Sequence, residues 1–203
     1  PVVSNILLSP TPLIAGQAVN CSYDFADVDG QADSSTLSWY VDGVLQSATS
    51  ATLSDFVGGQ VVRCSVTAND GVSNGNTIET SATVQNTAPV VSAVVINPTT
   101  AVYGTDLSCS YTFDDIDGDG DSSLVEWKVN GTTVSTGTAL TADVFVGGDT
   151  VTCTVSATDS VGTSGNTDSA SITIDNTSPV IGSVTITPSS PYTVDSLTCT
   201  YTY

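Results

Sequence analysis

The chain contains no histidine and no methionine, and its only basic residues are Arg63 and Lys128. Without histidine there is no Ser-His or Cys-His pair to activate a nucleophile. Two cations stand against 21 acidic residues, a formal net charge of −19 over 203 residues. Nothing here can neutralise phosphates, which excludes nucleic acid as a partner. No Gly-rich cradle opens a helix with a lysine to complete a phosphate site. No apolar run approaches the roughly 20 residues of a membrane-spanning helix, and no signal peptide stands at Pro1, where the chain starts abruptly. Glutamate is scarce beside aspartate, which favours turns and metal loops over helices. With aromatics at 6%, the core has to come from small aliphatic residues. What remains in quantity is Ser, Thr, Val, Gly and Asn, the composition of an all-β protein.

Internal repetition sets the domain count. Asn86-Thr87-Ala88-Pro89-Val90 returns as Asn176-Thr177-Ser178-Pro179-Val180. Cys21 returns as Cys109 and Cys199, Trp39 as Trp127, Cys64 as Cys153, and Phe56-Val57-Gly58-Gly59 as Phe145-Val146-Gly147-Gly148. Two repeats, 1–88 and 89–178, are therefore expected, followed by 179–203 as the first two strands of a third. That last stretch is too short to bury a core. It leaves Cys199 without the partner its counterparts have, as in a fragment of a longer array. The sharper alternative is a hairpin that complements another chain.

Within each repeat, alternation of period two marks strands. Val19, Cys21, Tyr23 and Phe25 point one way, as do Leu107, Cys109, Tyr111 and Phe113. Leu37–Val41 and Val125–Val129 form the next strand, closed by Asp42-Gly43 and Asn130-Gly131, dipeptides suited to a type I′ hairpin turn. Val62, Cys64, Val66 and Ala68 face inward, matched by Val151, Cys153, Val155 and Ala157. About seven short strands result, and no helix.

Seven strands in a repeat with the order Cys, Trp, Cys resemble an immunoglobulin-like sandwich. The resemblance puts Cys21 and Cys109 on strand B, Trp39 and Trp127 on strand C, and Cys64 and Cys153 on strand F. It implies the disulfides Cys21–Cys64 and Cys109–Cys153, and with them an oxidising compartment. The tyrosine expected two residues before the F-strand cysteine is absent, Val62 and Val151 standing there. The fold class read from the chain is all-β, tandem immunoglobulin-like sandwiches with one B–F disulfide each.

The stretch between Cys109 and Trp127 carries the chemistry. Five carboxylates fall within Asp114–Asp121, and from Asp115 the residues read D-x-D-x-D-G-x5-E, ending on Glu126, the calcium-loop pattern of an EF-hand. Carboxylates this close do not all stay ionised without a multivalent cation, and hard oxygen ligands suit Ca²⁺. The flanks alternate as strands, so the expectation is a calcium loop between two strands. Its ligands are drawn from Asp114, Asp115, Asp117, Asp119, Asp121 and Glu126, joined by Asp159 just after strand F. Repeat 1 offers a weaker set, Asp27, Asp29, Asp33 and Asp70. There Gln31 replaces Asp119, Ala26 replaces Asp114 and Ser38 replaces Glu126. The plain alternative is a solvated acidic turn. Paired catalytic carboxylates would all lie on one short loop with no evident cleft, which argues against an enzyme. Asn130 and Asn176 match glycosylation acceptors, Asn130 on a hairpin tip; Asn20, beside a cysteine within a strand, does so less credibly.

More specifically, the whole chain resembles the tandem Ig-like, cadherin-like and PKD-type repeats of large prokaryotic extracellular surface proteins. The shared features are the N-T-x-P-x-V junction, the D-x-D-G-D loop, the W-x-V-[DN]-G hairpin and the G-G-x-x-V-x-C strand. The resemblance implies a cell-surface stalk, fibre or filament whose partners are neighbouring repeats or copies of itself, with calcium shared at the junction by the Asp115 loop, Asp159 and the linker 86–88. The alternative is an adhesin whose loops recognise a carbohydrate or protein ligand. Tyr40 is its one outward-facing aromatic candidate, since Trp39 and Trp127 belong to the core.

Overall fold

Alternation in the sequence becomes strands throughout the computed structural model, which describes residues 1–203 and contains no helix. The first repeat supplies β1 (Val2–Ser9), β2 (Leu13–Ile14), β3 (Val19–Ala26), β4 (Thr36–Val41), β5 (Val44–Leu45), β6 (Thr52–Leu53), β7 (Val61–Asn69) and β8 (Asn74–Gln85). The second supplies β9 (Val90–Asn97), β10 (Ala101–Val102), β11 (Leu107–Asp114), β12 (Leu124–Val129), β13 (Thr132–Thr136), β14 (Ala139–Leu140), β15 (Thr150–Thr158) and β16 (Ser164–Asp175). A hairpin of β17 (Ser183–Thr187) and β18 (Thr198–Thr202) follows. Each repeat thus has eight strands rather than about seven, because two-residue edge strands are too short to show a period.

The repeats share one topology. A three-stranded sheet, β1-β3-β6, is matched by β9-β11-β14, and a five-stranded sheet, β2-β8-β7-β4-β5, by β10-β16-β15-β12-β13. Three strands facing five is the immunoglobulin-like sandwich, and the chain is a tandem of two. By spatial compactness the residues group differently. One unit is Pro1–Val94 with Tyr111–Val125 and Val155–Asp168; the other is Val95–Ser110 with Glu126–Thr154 and Ser169–Tyr203. The acidic loop, between β11 and β12, therefore belongs to the same compact unit as the first sandwich.

In the first unit, the two sheets of repeat 1 close over Val3, Leu13, Val19, Trp39, Phe56, Val62, Val66 and Val84, with the Cys21–Cys64 disulfide in the same core. The Trp39 indole N–H donates to the Ser50 carbonyl at 3.0 Å, so the aromatic is buried without an orphaned donor. Asp42 and Gly43 both take positive φ, 48° and 79°, and turn β4 into β5 with Val41 opposite Val44, the type I′ hairpin its sequence predicts. In the second unit, Ile96, Leu107, Trp127, Leu140, Phe145, Val151 and Ile174 are buried, and Cys109 is bonded to Cys153. Trp127 donates to the Gly137 carbonyl at 2.8 Å. Asn130 and Gly131 repeat the hairpin with φ of 49° and 83°. In β17–β18, Val184 lies opposite Tyr201 and Ile186 opposite Cys199; all its residues are exposed, and Cys199 is a free thiol.

One structural device had a sequence signal that composition hides. The N–H of Val3 donates to Asn76 Oδ1 at 2.8 Å and Asn76 Nδ2 returns to the Val3 carbonyl at 2.9 Å. Asn166 brackets Val91 the same way, at 2.7 and 2.8 Å. A Cβ on the preceding residue, Gly75 or Gly165, would overlap the carbonyl oxygen of Pro1 or Pro89, so each glycine permits the close approach. The repeated Gly-Asn-Thr at 75–77 and 165–167 is the trace of this clamp. Asn166→Ala leaves both backbone groups of Val91 without their partner. The expected cost is about 2 kcal/mol of unfolding free energy, read from the denaturant midpoint.

Candidate metal centre

The acidic loop leaves β11 at Asp114 and re-enters the sheet at β12, and the first unit holds what it packs against. Its first turn is tied internally: the N–H of Asp117 donates to Asp115 Oδ1 at 2.8 Å, and that of Gly118 to the Asp115 carbonyl at 3.1 Å. Its far end is tied to the β15–β16 turn. Asp121 bridges Asp159 as an isolated β-pair, and the N–H of Gly120 donates to Ser160 Oγ at 3.1 Å. The two loops are thus brought face to face, and carboxylates from both converge.

Three of the expected ligands meet. One oxygen each of Asp115, Asp119 and Asp159 lies within 4.8 Å of the others. Two oxygens bound to one Ca²⁺ at 2.3–2.6 Å are at most about 5 Å apart, so the spacing suits a single ion. Asp159 is 1% exposed, the one buried charged residue of the chain. Its Oδ1 accepts from the N–H groups of Val161 and Thr163 at 3.0 and 2.7 Å, and its Oδ2 from Asn86 Nδ2 at 2.8 Å. Asp115 Oδ2 is buried and has no hydrogen-bond partner. A buried carboxylate oxygen left bare is costly, and a cation between the three would satisfy it. The electrostatics agree: burial and then the charges of Asp115, Asp159 and Asp117 push the Asp119 carboxyl above its ordinary pKa. These three residues could hold a metal ion.

Asp117 has a different role. It accepts from the backbone N–H groups of Gly58 and Thr87, the latter at 2.7 Å, and from the Thr87 hydroxyl. Burial raises its pKa, but the bonds from Thr87 and Gly58 outweigh that and hold it below the usual carboxylate range. A Cβ at Gly58 would come 2.8 Å from the Asp117 carboxyl carbon, so only glycine admits this contact. Beside it, Ile116 lies over Gly16.

The remaining expected ligands stand elsewhere. Glu126 corrects the EF-hand pattern: it is paired with Lys128 at 2.8 Å and accepts from the Thr133 hydroxyl at 3.1 Å. In a strand, residues two apart share a face, so Glu126 goes to Lys128 where a helical flank would have turned it to the loop. Asp114 is exposed at the end of β11. Asp121 accepts from the Tyr111 hydroxyl and the Ser123 N–H, both at 2.8 Å, and so shapes the loop from its rim. In repeat 1, Asp33 repeats that role with Tyr23 and Ser35, and Asp70 is occupied by the N–H groups of Val72 and Ser73. Asp27 accepts from the N–H groups of Asp29 and Gln31, while Asp29 is exposed. No three of Asp27, Asp29, Asp33 and Asp70 converge as Asp115, Asp119 and Asp159 do, and Gln31 stands where the second repeat has Asp119.

Of the glycosylation candidates, Asn176 is exposed. Asn130 is held at both ends of its amide, Nδ2 donating to Asp149 at 2.7 Å and Oδ1 accepting from the Thr150 N–H at 3.0 Å. Asp149 also accepts from the Val146 N–H at 2.8 Å. The Val146 and Asn130 bonds hold its pKa below the ordinary value. A depressed carboxylate stabilises the fold above the unfolded pKa of about 4 and loses that contribution as pH falls through its lower folded value. Asp149→Asn is therefore expected to show a shallower fall in Tm than wild type between about pH 5 and pH 2, measured by thermal scans.

No protein-family model matches the chain, and no curated protein matches it. Among solved structures, it is similar to the fibronectin(III)-like modules of Clostridium thermocellum CbhA, at 18% identity over 85% of this chain and 95% of that one, with a TM-score of 0.35. A two-domain fibronectin type III segment of chicken tenascin aligns at 10% identity over 84% and 98%, with a TM-score of 0.45. The FN1–FN3 domains of chicken CNTN1 align at 14% over 98% and 74%, with a TM-score of 0.38.

Proposed function

We propose that this chain is a non-enzymatic structural segment of a cell-surface array, a stalk, fibre or filament, stiffened by Ca²⁺ bound at Asp115, Asp119 and Asp159. The observation that carries the reading is the bare, buried Asp115 Oδ2 inside a carboxylate triad whose third member is held by Asn86, in the linker between repeats. An ion there joins the acidic loop, the β15–β16 turn and the linker, and stabilises whatever conformation holds them together. Six to eight oxygen ligands suit Ca²⁺, and three carboxylates leave room for water or carbonyls to complete them. The PKD-type and cadherin-like resemblance and the two disulfides support an extracellular setting. The sites for trypsin-like cleavage, Arg63 and Lys128, both sit within paired strands and in ion pairs with Glu79 and Glu126, as a durable array requires.

The adhesin alternative draws less support. Its candidate aromatic, Tyr40, is covered by the Arg63 guanidinium at 4.0 Å from the ring centroid. Calorimetric titration of the whole chain tests the metal reading. Calcium is expected to bind with one ion per chain, more tightly than magnesium, and Asp115→Asn to remove the heat of binding. Binding that survives Asp115→Asn, or no binding at millimolar calcium, rejects it.

A further inference from the structure

Asp117 stands between the ligands Asp115 and Asp119 in the chain, yet its carboxylate is spent on the first repeat. One oxygen accepts from the Gly58 N–H, and the other from the Thr87 N–H at 2.7 Å and from the Thr87 hydroxyl. The same residue then holds Asp115, its own N–H donating to Asp115 Oδ1 at 2.8 Å. With that oxygen engaged, Oδ2 is the one left bare. The neighbouring linker residue does the same for Asp159. Asn86 Nδ2 donates to Asp159 Oδ2 and to Thr163 Oγ1, each at 2.8 Å. Two adjacent residues of the linker therefore fix two of the three carboxylates, Thr87 through Asp117 and Asn86 directly.

We infer that Gly58, Asn86, Thr87 and Asp117 are positioning residues for calcium, so that the linker's seat on the acidic loop sets the affinity of the site. The physical reason is preorganisation. Three carboxylates of like charge drift apart unless neighbours hold them, and an ion that must first gather its ligands binds more weakly. Seating and ion binding share the geometry of Asp115 and Asp159, so their coupling is reciprocal. Whatever unseats Thr87 weakens calcium by the same factor by which calcium tightens the seat. The linker thereby regulates the site: tension that draws Thr87 off Asp117 releases the ion, and a relaxed joint takes it up again. The inference rests on the metal reading above and adds what controls it.

Calorimetric titration of the whole chain with calcium, at a temperature where every variant is folded, tests this. Gly58 does not use a positive φ. Alanine there acts through its Cβ, which would come 2.8 Å from the Asp117 carboxyl carbon and 3.0 Å from Asn86 Cα. Gly58→Ala and Thr87→Val are each expected to weaken calcium by about tenfold or more, the usual effect of removing a partner behind a metal ligand. Thr87→Ser keeps the hydroxyl and should bind as wild type does. Gly147→Ala makes the same substitution at the counterpart of Gly58, and Asn166→Ala lowers stability at the Val91 clamp. Both should leave the affinity in place. Wild-type affinity in Gly58→Ala and Thr87→Val overturns the inference and leaves the metal reading standing. So does a loss in Gly147→Ala and Asn166→Ala as large as in Gly58→Ala, which would make the effect one of stability alone. No uptake by the wild type rejects the metal reading, and the inference with it.

Discussion

Asp119→Asn is expected to melt higher than wild type in chelator and to lose the stabilisation that calcium gives. Both halves follow from one arrangement. Without a cation, burial and then the charges of Asp115, Asp159 and Asp117 raise the Asp119 pKa. An acid whose folded pKa is raised destabilises the fold as pH rises through that value, so at pH 7 its charge works against folding. The amide keeps the shape and removes the charge, so Tm in chelator rises. With calcium at a hundred times its dissociation constant, wild type gains about 2.7 kcal/mol, roughly 5–10 °C for a chain of this size. The variant, lacking one of three charged ligands, should gain almost nothing. Differential scanning calorimetry in calcium and in chelator reads both effects. A variant that melts lower in chelator would show Asp119 to be a structural residue.

Removing the first disulfide is the largest purely structural change available. Cys21 and Cys64, 43 residues apart, are 2% and 0% exposed in the core of the first sandwich. In the chain-entropy account, releasing a loop of that size returns about 4 kcal/mol to the unfolded state. That is a large share of the marginal stability of a domain. Cys21→Ala with Cys64→Ala is expected to lower the guanidinium midpoint of the first sandwich accordingly. It should also raise amide exchange along β7, whose inward residues Val62, Val66 and Ala68 are fully buried around Cys64. A change below about 1 kcal/mol would mean that the core alone holds this sandwich.

The sandwich was legible because its signals are local or repeated. Cys21, Trp39 and Cys64 recur as Cys109, Trp127 and Cys153, and the alternation around them places each one inward. Asp42-Gly43 and Asn130-Gly131 specify their turns through φ angles that few other dipeptides accept. The two-residue strands β2, β6, β10 and β14 were not legible, since they form only where a neighbouring strand passes. The acidic loop was visible as a density of carboxylates, but its division of labour was not. Asp115, Asp119 and Asp159 converge while Asp117 turns to Gly58 and Thr87, and that depends on which loops the fold brings to one end of the sandwich. Glu126 completes a spacing defined for helical flanks, but it stands in a strand, where period two places it beside Lys128. The asparagine clamps at Asn76 and Asn166 were present as a repeated tripeptide, but a single asparagine in an Asn-rich chain does not announce two backbone hydrogen bonds.

Hydrogen exchange resolved by segment tests the central claim most directly, that one ion ties the acidic loop, the β15–β16 turn and the linker together. The relevant amides are Gly58, Thr87, Asp117, Gly120, Val161 and Thr163, each already donating to a residue of the site. The account predicts that calcium slows exchange over 58, 86–88, 115–121 and 159–163 together, leaves β4 and β7 unchanged, and has no effect on Asp115→Asn. Exchange at those segments that is the same with calcium and with chelator would contradict it, and would leave the acidic loop a turn held by its hydrogen bonds alone.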